Sequence, residues 1–91
     1  MTPVTGTTTS SAAVDHDTVA EYDAMRETAL RLVGEYAARL PADSSDPEHH
    51  AGMQRMVAVR RAARAVPTRD AEEIAAATVR FDRELQELRA R

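Results

Sequence analysis

The chain has no cysteine, which excludes disulfide staples and every thiolate metal site. It has no lysine either, so all 12 basic residues are arginine. Tryptophan is absent, and the aromatics are limited to Tyr22, Tyr36 and Phe81. No run approaches the roughly 18 apolar residues that a membrane-spanning helix needs. The opening MTPVTGTTTSSAAVDHD lacks the basic and apolar regions of a secretory signal and the arginines of a transit peptide. Glycine-rich phosphate loops, G-x-S-x-G, H-E-x-x-H and a cysteine nucleophile are all missing, so no enzyme motif is present. A small all-helical enzyme gripping a dianion with Arg and Lys would be of this size, but no lysine and no such motif are here.

Large apolar side chains are scarce too. Leu, Ile, Val and Phe make up 15 of the 91 residues, under the level of about 20% below which disorder becomes a concern. The net charge of −3 is too small to supply the other half of that signature. What fills the chain is alanine, with 18 copies. Alanine favours helix strongly and buries little area. One small helical domain with a thin core is the expectation. The arginine and alanine usage suits a GC-rich bacterial genome, and the lack of cysteine suits the cytoplasm.

Residues 1–17 are rich in Thr, Ser and Ala without a period, and read as a disordered, flexible tail. Thr18 followed by Glu21 has the spacing of a capping box. From there Tyr22, Met25, Ala29, Val33, Tyr36 and Leu40 share one face of a helix over about 19–40 that ends before Pro41. Asp46-Pro47 reads as an N-cap and a first-turn proline. It opens a second helix over about 47–66 with Gly52, Met53, Met56, Val59, Ala63 and Val66 inward. Pro67 breaks that pattern, and Thr68 is placed to cap a third helix over about 69–90. There Ala71, Ile74, Thr78, Phe81, Leu85 and Leu88 alternate spacings of three and four, a heptad seam. The expected fold is all-α: an antiparallel three-helix bundle forming a single domain at residues 18–91.

The second helix carries Arg55, Arg60, Arg61 and Arg64 against Glu48 alone. Arg60, Arg61 and Arg64 span about 100° of arc beside the apolar face. No acid lies four residues from any of them on the same helix, so local pairs cannot neutralise them. Their aliphatic stems can cover apolar surface while the heads meet acids of the other helices. Otherwise they form a docking edge for an acidic partner protein, since Arg is a favoured interface cation. Nucleic acid fits less well: the chain is acidic overall, and Gln54 alone on this helix is suited to reading bases.

Arg26 falls inside the apolar sector of the first helix, either at the edge of the core, or paired with Asp82 or Glu84, or offered to a ligand. Tyr22 and Tyr36 lie on one stripe, as core residues or as part of a partner-binding face. Asp46, Glu48, His49 and His50 do not make a metal site, because adjacent histidines on a helix point about 100° apart. No metal or cofactor is expected.

The expectation for function is a small non-enzymatic protein acting by protein–protein contact, antitoxin-like or a regulatory subunit that binds and neutralises a partner. Its candidate partner-binding residues are Arg60, Arg61, Arg64, Arg26, Tyr22 and Tyr36. The alternatives are a nucleic-acid-associated regulator using the basic edge of the second helix, and a structural homo-oligomer.

Overall fold

The structure is a computed structural model that describes the side chains of residues 18–91; those of the tail expected at residues 1–17 lie outside the described residues. The chain is an all-α bundle of three helices, α1 (Thr2–Ala38), α2 (Pro47–Ala65) and α3 (Ala71–Arg89). Among the described residues no helix is long and apolar enough to cross a membrane.

Local chemistry accounts for each end. The last turn of α1 tightens, with the amides of Arg39 and Leu40 donating to the carbonyls of Tyr36 and Ala37 at 3.1 and 3.3 Å. In the connection, Asp43 Oδ1 accepts from the Ser45 amide and hydroxyl at 2.9 and 2.7 Å, a side-chain mimic of a backbone turn. Those two bonds hold the Asp43 carboxyl below its ordinary range. Asp46 caps α2 by accepting from the Glu48 amide at 2.8 Å, with Pro47 in the first turn. His49 Nδ1 lies 2.9 Å from the Pro41 carbonyl, so an Nδ1–H tautomer ties α2 back to the connection.

The cap of α3 corrects the sequence expectation. Thr68 lies in the turn after Pro67, and Asp70 is the N-cap, its Oδ1 accepting from the Glu73 amide at 3.1 Å. Glu72 and Glu73 in the first turn and Arg89 in the last suit the helix dipole. Thr18 is buried beside Thr68 and Arg69 of this turn, not exposed at a free helix end.

The helices run up, down and up. Arg26 of α1 lies near Arg64 of α2, and Leu40 near Gly52, so these two are antiparallel. Thr18 lies near Thr68 and Tyr36 meets Glu84, so α3 runs parallel to α1. The close backbone approaches join α1 to α2 and α1 to α3, while α2 and α3 scarcely approach one another. The central helix is therefore α1, and the α2–α3 contact is the weakest of the three despite the short link between them.

This arrangement sets the core. Met25, Leu32 and Ile74 are the largest fully buried side chains, with Val33, Tyr36, Met56, Val59, Phe81, Leu85 and Leu88 around them. Each fully buried large side chain contributes about 1.5–3 kcal/mol. Leu32 was outside the expected stripe of α1. It belongs to the core because α1 buries an arc of about 100° between two neighbours, and Leu32 sits on the α3 side of that arc. Met53 was expected inward and is 41% exposed, since only a narrow arc of α2 faces α1. In α3 the seam holds at Ile74, Phe81, Leu85 and Leu88, but Ala71 is exposed and Ala77 is buried in its place.

Candidate functional site

The antiparallel register of α1 and α2 decides which arginines meet. Arg26 of α1 and Arg60 and Arg64 of α2 line one recess of about 230 Å³, whose floor and wall are Ala29, Leu30, Val33 and Ala63. Ala29 and Ala63 are buried small residues of this lining. All three arginines are exposed. The ion pairs among the described residues are Arg31–Glu27 at 2.5 Å, Arg39–Glu35 at 3.0 Å and Arg89–Glu35 at 3.5 Å, and none involves Arg26, Arg60 or Arg64. Three like charges thus converge with no carboxylate of the described residues against them, an arrangement that attracts anions.

Arg26 does not pair with Asp82 or Glu84. Its Nη1 donates to the Tyr22 hydroxyl at 3.4 Å, one turn back on the same helix, and Glu84 instead accepts from the Tyr36 hydroxyl. Tyr22 is half-buried against the core and braces Arg26 from behind. Tyr36 is placed elsewhere: it is 8% exposed and belongs to the other end of the bundle, with Arg39, Arg55 and Arg91 nearby. Burial, and then the facing Glu84 carboxylate, push its phenol up to about 12. Arg61 is exposed and lies outside the recess. The six candidate residues therefore divide into Arg26, Arg60 and Arg64 at the recess, Tyr22 behind it, Arg61 beside it and Tyr36 apart from it.

The site also has an apolar half. Leu30 is 61% exposed and Val57 37%, and with Met53 they make up most of the large apolar side chains exposed among the described residues. By helical phase, Met53, Val57, Arg60 and Arg64 occupy one flank of α2. On α1 the facing flank carries Arg26, Leu30 and Ala37. By helical phase the groove between α1 and α2 thus continues from the recess at Arg26, Arg60 and Arg64 toward apolar Val57 and Met53. Its signal in the sequence was Leu30 next to the sector of Arg26, but only the interhelical register brings it into one recess with Arg60 and Arg64.

Comparison with protein-family models, with curated proteins and with solved structures found no match to this chain. The functional reading therefore stands on the groove itself. Among the described residues no group of three or more His, Asp or Glu side chains is placed to hold a metal ion.

Proposed function

We propose that this protein is non-enzymatic and acts by binding a partner protein along the α1/α2 groove, as an antitoxin-like or regulatory subunit that holds and neutralises its target. The observation that carries this reading is the convergence of Arg26, Arg60 and Arg64 on an apolar floor with no described carboxylate to pair with them. Arginine is the cation best suited to interfaces, because its guanidinium is weakly hydrated and grips carboxylates with two parallel bonds. Exposed Leu30, Met53 and Val57 beside it add the apolar area that a specific interface needs at its centre. The small core of a 91-residue chain gains stability from such a partner by mass action.

The test is co-expression with the product of the adjacent gene, followed by size-exclusion chromatography of the purified pair. A stoichiometric complex that is lost when Arg26, Arg60 and Arg64 are all replaced by Ala, with the helical signal unchanged, is the expected result. A complex indifferent to those replacements, or a protein that remains a lone monomer beside its neighbour, refutes the reading. If the same triple replacement instead abolishes a salt-sensitive gel shift with duplex DNA, the partner is nucleic acid and the proposal falls.

A further inference from the structure

Resting on that reading, we infer that the groove's occupant is an acidic amphipathic helix of the partner, docked lengthwise between α1 and α2. The recess supports this by size. At about 230 Å³ it is below the roughly 300–1,000 Å³ of pockets that enclose cofactors or drug-sized molecules. It holds one apolar side chain, as an anchor socket in a helix-binding groove does.

Length supports it as well. By helical phase the two flanks run from Arg64 to Met53 on α2 and from Arg26 to Ala37 on α1, about 17 Å of helix axis or three turns, with the recess at the Arg26 and Arg64 end. An isolated extended strand would leave its backbone amides and carbonyls unpaired against these side chains, whereas a helix satisfies its own.

Charge decides the polarity of the occupant. Arg60 and Arg64 are one turn apart on α2, and Arg26 faces them from α1. Two carboxylates one turn apart on the incoming helix match that spacing. Beyond them, apolar residues at intervals of three and four would meet Leu30, Val57 and Met53. The occupant is therefore acidic at the end over Arg26 and Arg64 and apolar along the rest of its buried stripe.

The test uses the full chain and synthetic helical peptides of about 16 residues, long enough to span the groove. One peptide carries a Glu pair one turn apart followed by a leucine stripe. A second replaces the leucines by serine, and a third is polyglutamate of equal charge. Fluorescence anisotropy at low salt is expected to show binding of the first peptide, weakened about tenfold or more by the serine version. Replacement of Arg60 and Arg64 by Gln should weaken it to a similar extent, and Leu30→Ser severalfold. All of these side chains are exposed, so the fold should survive, and a thermal melt checks that it does.

Equal binding of polyglutamate overturns the inference, as does binding that ignores the arginine replacements or no binding of the first peptide. Displacement of that peptide by pyrophosphate at the same affinity identifies a small-anion site and also overturns it. So does an arginine-dependent dimer of the chain alone, which makes a second copy the occupant. If the co-expressed complex needs the arginines while every peptide fails, the partner reading stands and the helical occupant falls.

Discussion

The same substitution, glycine to alanine, is expected to give different results at two positions of this bundle. Gly34 lies in α1 on an exposed face, and a methyl group placed there meets nothing within 4 Å. Gly52 is buried in α2, and a methyl group there runs into Cδ2 of Leu40. Neither glycine has a positive φ, so alanine is free of backbone strain at both. Gly34→Ala should therefore stabilise the protein by about 0.5–1 kcal/mol, by limiting the unfolded chain and covering backbone. For a domain of this size that is a rise in Tm of about 2–8 °C.

Gly52→Ala has the same helical gain offset by overpacking, which costs about 1–3 kcal/mol unless Leu40 moves. Leu40 is half-buried and packed against the core, so moving it forfeits contacts that close this end of the bundle. The net effect should fall at least about 1 kcal/mol below that of Gly34→Ala. Urea titrations of both variants, of Leu40→Ala and of the Leu40/Gly52 double variant measure this. In the double variant, alanine at position 52 should recover its stabilising effect, a coupling of about 1 kcal/mol. If Gly52→Ala stabilises as much as Gly34→Ala, the close approach of Leu40 to α2 is wrong, and with it the register that assembles the arginine recess.

Other expectations follow from the same contacts. The folded state holds the Tyr36 proton more tightly than the unfolded chain, from an ordinary value of 10 to about 12. Its contribution to stability is thus complete below about pH 10 and lost as pH rises toward 12. Melts across pH 9–12 should show that loss in the native protein and a shallower one in Tyr36→Phe; parallel curves would refute the coupling. Asp70→Ala should cost about 1 kcal/mol by removing the cap of α3, while Thr68→Ala should change stability far less. Equal effects by thermal melt would contradict that assignment of the cap. Arg26→Ala should leave stability within about 0.5 kcal/mol, because the side chain is exposed and makes no cross-bundle pair. A loss of several kcal/mol would mean a buried ion pair after all.

Much of the fold was legible because caps and periodicity are local. Asp46 and Pro47 announce the start of α2 by chemistry confined to a few residues, and the heptad spacing of Ile74, Phe81, Leu85 and Leu88 marks the seam of α3. The cap of α3 was misplaced by two residues because Thr68 and Asp70 are both competent caps. The turn that follows Pro67 puts the Asp70 carboxylate within reach of the Glu73 amide. Leu32 falls outside a single apolar stripe because α1 has two neighbours and buries a wider arc. For the site, the excess of charge on α2 was visible, since it needs only the absence of nearby acids. That Arg26 joins Arg60 and Arg64 was not. Their meeting depends on how the connection at 39–46 turns and on Leu40 seating over Gly52, which no pattern within one helix encodes.

The central position of α1 has a kinetic consequence. Every side chain of the basic groove comes from α1 or α2, which are joined by a short connection, whereas α3 reaches α1 through contacts such as Tyr36–Glu84, 48 residues apart. Closing a short loop takes well under a microsecond, and contacts distant in sequence come later. The hairpin of α1 and α2 is thus the nucleus the topology favours, with α3 docking onto it after the rate-limiting step. Substitutions such as Val59→Ala should then slow folding, while Leu85→Ala should mainly hasten unfolding. The surface offered to a partner is in that case among the first parts of the molecule to take shape, ahead of the helix that buttresses it from the far side.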